Sequence, residues 1–285
     1  MNAARDYLDV KIVMAAKRII IVTGGASGIG LGISRALASQ REPKTHVAIF
    51  DINATTGAPV VANLQKEFPY ASFSFHQVDI SLWKSISAAF SQVFSQHGRI
   101  DHVFANAGIT EIGWLIDKEE QIPSEPELKT LNVNLVGTVY TIKLAIHYLL
   151  KNPAEPSRGG ITCTASNAGI YPLHIAPLYS TAKHGVIGLV RSLSRPLEKE
   201  KIRINALAPA VVESNISSSK ELFKHMIITP MSTVTRAAQN FVEDPSLNGK
   251  VAELHEENIT FRDPPPFVDE NSEKNIETFW RLGYA

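Results

Sequence analysis

A run of β-branched residues, RIIIVT (18 to 23), passes without a break into the glycine-rich TGGASGIG, and a helical pattern, GLGISRALASQ, follows at once. Few local sequences restrict a fold as strongly. A strand that bends within a few residues into a helix needs glycine where the backbone turns tightly, and Gly24, Gly28 and Gly30 stand at those positions. The helix beginning there presents free N–H groups and the positive end of its dipole, a ready receptor for a pyrophosphate. Ser27 and Ile29 share the turn and join the glycines as candidate cofactor contacts. The spacing G-x-x-x-G-x-G differs from G-x-G-x-x-G, so the strand before and the helix after carry the inference.

The same alternation continues along the chain. Strand-like runs recur at 46–51 (HVAIFD), 72–79 (SFSFHQVD), 100–106 (IDHVFAN), 160–166 (GITCTAS), 202–208 (IRINALA) and 250–254 (KVAEL), separated by helical patterns such as SISAAFSQVFSQHG. Alternating β and α units imply right-handed crossovers and a parallel sheet covered on both faces. The expected fold class is α/β: a single-domain Rossmann fold over residues 17–262 with a doubly wound parallel sheet of about seven strands. Residues 1–16 read as an N-terminal extension. Residues 263–285 read as a C-terminal arm, with Phe279, Trp280 and Tyr284 placed to pack on a neighbouring subunit. The segment 213–230 is a candidate lid over substrate, because loops at the carboxyl ends of strands line the ligand crevice of such sheets.

Charge and cysteine content narrow the partners. Lys and Arg number 28 against 28 Asp and Glu, so no basic field exists to draw in nucleic acid or an anionic membrane, and the expected partner is a small molecule. The single cysteine, Cys163, excludes an intrachain disulfide and suits a reducing, cytoplasmic setting. It lies in the apolar run ITCTAS, where a small buried hydrophobe is the simplest reading. No stretch approaches the length of a membrane-spanning helix. Asp6, Asp9 and Lys11 interrupt the N-terminus, which does not read as a signal peptide. No grouping of His, Cys and Asp has ligand spacing, and no metal is expected.

Two further features point to chemistry. Asp51 ends the second strand, where a carboxylate can accept both hydrogen bonds of an adenosine ribose diol and repel a 2′-phosphate. Ile52 and Ser27 offer no cation for such a phosphate, so NAD is preferred over NADP. The stretch SNAGIYPLHIAPLYSTAK then places Ser166 at a strand end and Tyr179 and Lys183 one helical turn apart on a single face. An ammonium beside a phenol favours the phenolate, and the expected effect is a Tyr179 pKa lowered towards neutrality. His174 and His184 nearby are read as a surface residue and a structural one.

These motifs, in this order, resemble the short-chain dehydrogenase/reductase (SDR) family across roughly residues 17–215. TGGASGIG resembles its glycine motif and Asp51 its NAD-selecting acid. The resemblance implies that Asp79 and the Ile80 backbone hold the adenine. It implies too that NAG (Asn106, Ala107, Gly108) supports the central sheet and contacts the adenosine ribose, and that Asn134 orders a water below the lysine. Ser166, Tyr179, Lys183 and Asn134 complete a catalytic tetrad, Tyr179 and Lys183 also touching the cofactor. APAVVES resembles the family's P-G-x-V-x-T element, assigning Val212 and Ser214 to the nicotinamide end, with Ala210 in place of glycine. The segment EDPSLNGKVAELHEENITF resembles 15-hydroxyprostaglandin dehydrogenases, although Ala176 stands where their substrate-side glutamine would be.

The resemblance implies hydride transfer between a nicotinamide and a carbinol or carbonyl carbon of a fairly apolar molecule, by a homodimer or homotetramer pairing through helices within 126–150 and 179–196. Two readings compete with it. One keeps the fold for isomerisation or cyclisation with the nucleotide recycled, for which the Ala210 departure leaves room; the other is a nucleotide sensor without turnover, which would not need Ser, Tyr and Lys together.

Overall fold

The computed structural model describes residues 17–116, 121–213 and 223–283. β1 (Arg18–Thr23), β2 (Thr45–Asp51) and β3 (Ser72–Gln77) alternate with α1 (Gly28–Ala38), α2 (Ala54–Glu67) and α3 (Trp83–His97). After β4 (His102–Ala105), a short α4 (Lys129–Leu131) runs through a π-helical turn (Asn132–Val136) into α5 (Gly137–Leu149). β5 (Gly159–Thr164), α6 (Pro177–Lys199), β6 (Ile202–Pro209), α7 (Met231–Glu243), β7 (Val251–His255), β8 (Asn258–Phe261) and α8 (Glu270–Leu282) complete the chain.

The strands form one sheet in the order β3-β2-β1-β4-β5-β6-β7-β8. All pairs are parallel except β7 with β8. The sheet therefore has eight strands rather than the expected seven or so. β8 folds back on β7, with His255 opposite Asn258, through a turn in which Glu256 holds a left-handed φ of 49°. Gly or Asn usually marks such a turn, and a glutamate conceals it.

Why the early strands read as continuously apolar is visible in β1. Ile19 and Ile21 enter the core under α3, α5 and α6, while Ile20 and Val22 enter the core under α1 and α7. Both faces of a central parallel strand are buried, so alternation disappears. The chain leaves β1 towards β2 and β3, then returns to place β4 on the other side of β1. The carboxyl ends of β1 and β4 thus flank the switch point at which an open sheet has its crevice.

The C-terminal helix docks on α6 of its own chain. Trp280 packs on its own chain, under Arg195 and Lys199 of α6 at 4.8 and 4.4 Å from the ring centroid. Arg195 also binds Glu277 at 2.6 Å. Two cations on α6 hold the indole, while Phe279 is exposed. Tyr284 and the 1–16 extension lie outside the described residues.

Candidate active site

A cavity of about 670 Å³ opens at the switch point. It is lined at one end by Asp51, Ile52, Asp79 and Ile80, in the middle by Gly24, Ser27, Gly28 and Ile29, and at the other end by Ser166, Tyr179, Lys183 and Val212. Asn106, Ala107 and Gly108 also line it.

The glycine turn has the geometry its sequence requires. Gly24 and Gly28 hold positive φ, 64° and 49°. A Cβ on Gly24 would stand 2.9 Å from the Ala107 Cα. Gly30 lies behind the turn instead of facing the cavity: its Cβ would meet the Gly24 carbonyl oxygen at 2.2 Å, so its role is close packing of helix on turn. Ser27 is the N-cap of α1 without a side-chain cap bond, and no acidic residue occupies the first turn. The helix end keeps its positive field for a ligand.

Asp51 anchors this turn as well as facing the cavity. Its carboxylate accepts the Ala26 N–H at 3.1 Å and the Asn53 N–H at 3.0 Å. A carboxylate offers about four lone-pair sites, which leaves acceptors for a diol. Ile52 is 63% exposed beside it. Asp79 accepts from the Ser81 N–H and hydroxyl at 2.9 and 2.6 Å, which fixes the loop before α3.

NAG forms a stitch across three strand ends. The Asn106 amide donates to the Thr23 carbonyl at 3.0 Å and accepts from the Thr164 hydroxyl at 2.9 Å, while the Asn106 and Ala107 N–H groups donate to Thr23 Oγ1. Gly108 makes room for Asn134, whose Oδ1 would lie 3.1 Å from an added Cβ. Asn134 is buried in the π-helical turn and grips Ile109 twice, accepting its N–H and donating to its carbonyl, both at 2.8 Å. Asn134 does not line the cavity; its neighbour Asn132 does, with Glu127, Lys129 and Val133. A π turn places a side chain off the regular helical register, and nothing in NVNLVG announces it.

At the far end, α6 carries Tyr179 and Lys183 together. Lys183 is buried, its ammonium donates to the Thr164 carbonyl at 2.8 Å, and it lies 5.5 Å from the Tyr179 ring centroid. Burial lowers its pKa to about 8, with Cys163 beneath it opposing. Ser166 closes β5, accepting the Ala168 N–H at 3.1 Å and facing the Pro209 carbonyl at 3.4 Å. Tyr179 departs from the expectation. Burial raises the phenol's pKa above its usual 10, opposed by its hydrogen bond with the Ser166 hydroxyl. Desolvation of the phenolate prevails over that hydrogen bond.

Cys163 is buried with its thiol pushed up to about 12, as befits an inert core residue. His174 is exposed, and His184 bonds the Ser180 carbonyl of its own helix at 2.9 Å. Ala210 lines the cavity with its N–H on the Leu254 carbonyl at 2.8 Å. Ser214 and most of the candidate lid, residues 214–222, lie outside the described residues. The chain after them returns to Val211 through the Thr229 N–H at 2.7 Å.

One residue that sequence reading passed over sits directly behind this group. Glu111, in the loop after β4, accepts the N–H groups of Leu178 and Tyr179 at 3.1 and 2.5 Å.

This combination of an open parallel sheet, a glycine-rich first turn and a Ser, Tyr and Lys cluster at one crevice defines a class, and comparison with known proteins gives its family. The family described as short chain dehydrogenase matches residues 18–224. The chain belongs to the short-chain dehydrogenase/reductase family, whose members are oxidoreductases that use a nicotinamide cofactor. The short-chain dehydrogenase/reductase prx7 of Penicillium rubens is 32% identical over 269 residues, covering 85% of this chain and 93% of that protein. The rat NAD(+) 15-hydroxyprostaglandin dehydrogenase is 30% identical over 258 residues, covering 83% and 90%. The crystal structure of levodione reductase shares the fold with a TM-score of 0.72 at 23% identity, over 84% of this chain and 96% of that one.

Proposed function

We propose that this protein is an NAD(H)-dependent dehydrogenase or reductase that interconverts a secondary alcohol and a ketone on a fairly apolar small molecule. The observation that carries the reading is one continuous cavity with Asp51 at one end and Ser166, Tyr179 and Lys183 at the other.

The residues fit a nicotinamide dinucleotide. Asp51 suits a ribose diol, the uncapped end of α1 suits a pyrophosphate, and Lys183 stands where a second ribose would lie in the same cavity. With no basic side chain at Ser27 or Ile52, a 2′-phosphate would face Asp51 uncompensated, so NAD is the preferred form. When bound, the nicotinamide supplies the hydride acceptor or donor.

The chain's own groups handle the proton and the oxygen. Tyr179 exchanges a proton with the substrate oxygen, and Ser166 holds that oxygen by a hydrogen bond. Lys183, its pKa lowered by burial to about 8, still carries positive charge at neutral pH 5.5 Å from the Tyr179 ring centroid. Asn134 fixes the Ile109 backbone, one residue past Gly108, and is assigned the proton path to solvent.

An apolar substrate is supported by the loops that leave the carboxyl edge of the sheet. Trp114 and Ile116 after β4, Ile175 after β5 and Ile227 after β6 are 75%, 78%, 73% and 75% exposed. The rat and murine 15-hydroxyprostaglandin dehydrogenases among the relatives are named for NAD and for a lipid alcohol, consistent with this class. The assembly is assigned as a homodimer or homotetramer through α5 and α6, which light scattering in solution would measure. Among the described residues no helix is long and apolar enough to cross a membrane.

The direct test is Tyr179→Phe. Turnover of a secondary alcohol should fall by at least about 100-fold, the scale of a lost general acid–base group. NADH binding, followed by its fluorescence, should persist. A Phe variant as active as the parent would remove Tyr179 from the reaction.

A further inference from the structure

We infer that Glu111 is a positioning residue that locks the first turn of α6, and with it Tyr179, to the loop leaving β4. The inference rests on the dehydrogenase reading for its kinetic consequence, although the contact itself does not.

The need for such a residue follows from how α6 begins. Pro177 opens the helix and has no N–H, so the first donors that point out of the helix end belong to Leu178 and Tyr179. The local N-cap is Ala176, which has no side chain able to accept them. A Ser, Thr, Asp or Asn at that place would ordinarily do so. Here one carboxylate from a different element takes both, the Leu178 N–H on Oε1 at 3.1 Å and the Tyr179 N–H on Oε2 at 2.5 Å. A charged acceptor at a helix N-terminus is favoured twice, by the charge-assisted bonds and by the dipole.

The loop that carries Glu111 is itself held tightly. Asn134 binds both polar groups of the Ile109 backbone at 2.8 Å. Thr130 accepts the Ile112 N–H at 3.0 Å and donates to the Thr110 carbonyl at 3.2 Å. Residues 109–112 are therefore a splint: α4 and the π turn hold one side, and Glu111 reaches from it to the backbone of the proton-exchanging residue. Glu111 does not line the cavity, so it has no contact with a ligand there. Its effect on chemistry passes through the placement of Tyr179, where a shift of about 1 Å is worth up to about 100-fold in rate.

Three variants separate reach from charge. Glu111→Gln keeps one acceptor oxygen at the same reach but sets an NH2 donor against the second N–H, Glu111→Asp keeps the charge one methylene short, and Glu111→Ala removes both. Amide hydrogen exchange at Leu178 and Tyr179 needs no substrate: both first-turn amides should be protected in the parent, one of the two should lose its protection in Gln, and both should be exposed in Asp and Ala. In kinetics, kcat should fall about 10- to 100-fold in Asp and Ala with the NADH dissociation constant unchanged, and Gln, which satisfies one of the two N–H groups, should lie between them and the parent. Unprotected amides in the parent, or parental kcat in both Asp and Ala, would overturn the assignment. Absence of turnover in the parent with protected amides would count against the dehydrogenase reading and leave the lock standing.

Discussion

Asp51 does two jobs with one carboxylate, and the two can be taken apart. It accepts the Ala26 and Asn53 N–H groups, holding the glycine turn against the start of α2, and it faces the cavity where an adenosine ribose would lie. Asp51→Asn retains one acceptor and removes the charge that repels a 2′-phosphate. NAD efficiency, measured as kcat/KM, should fall about 10- to 100-fold, the size of one or two hydrogen bonds to a charged group, while NADP efficiency rises. An unchanged NAD to NADP ratio would deny Asp51 its selecting role. Two glycines make a second contrast. Gly30→Ala drives a Cβ to 2.2 Å from the Gly24 carbonyl, where neither backbone can yield, and should cost about 1–3 kcal/mol and abolish tight NADH binding. Gly108→Ala meets the Asn134 side chain at 3.1 Å and should be milder in both calorimetry and binding. Such residues were legible in the sequence because their chemistry is local: a glycine at a turn, an acid at a strand end, a Tyr and a Lys one turn apart. Glu111 was not, since its partners lie 67 and 68 residues away and a lone glutamate in a loop carries no signal. The direction of the Tyr179 shift was missed for a related reason. Spacing shows that an ammonium is near, but desolvation depends on what the whole fold packs around the phenol.

At the scale of elements, the boundaries of β1 follow directly from RIIIVT, and the two-faced burial of β1 and β2 follows from their apolar runs IIIV and VAIF. β3 is different. SFSFHQ alternates, and its polar side forms a layer in which His46 contacts the Ser72 and Ser74 hydroxyls at 2.8 and 3.1 Å, Ser74 contacts His76 at 3.1 Å, and His76 contacts Gln92 of α3 at 3.2 Å. His97, at the end of α3, packs on His46 with ring centroids 4.2 Å apart and the planes tilted by 43°. Burial, with the neighbouring histidines and Lys17, lowers His46 from 6.5 to about 3 and lowers His76 and His97 too. The sign follows. Below about pH 6.5 the unfolded chain binds protons that the folded layer refuses, so folding stability declines as pH falls from 6.5 towards 3. For His46 the slope approaches about 1.4 kcal/mol per pH unit. Urea unfolding from pH 7 to pH 4 should show this decline, and His46→Gln should flatten it. A parent curve already flat over that range would mean the layer is protonated in the folded state.

For the whole molecule, a formally neutral chain closes a single α/β domain around one crevice, and the family fixes the general chemistry that the crevice serves. The parts the sequence concealed are those made by distant pieces meeting: the hairpin that adds β8 through a left-handed Glu256, the docking of Trp280 on α6, and the clamp of Glu111 on the first turn of α6. Each needs the assembled fold to bring its partners together. The central claim, that this assembly moves hydride between NAD(H) and a secondary alcohol or ketone, is tested most directly by the near-ultraviolet absorbance of the reduced nicotinamide. Purified protein would be given NAD or NADP with a panel of steroid, polyketide-like and hydroxy-fatty-acid alcohols, and NADH with the matching ketones. An absorbance change that favours NAD and vanishes in Tyr179→Phe is the predicted result. Tight NADH binding without any change in either direction across the panel would contradict it.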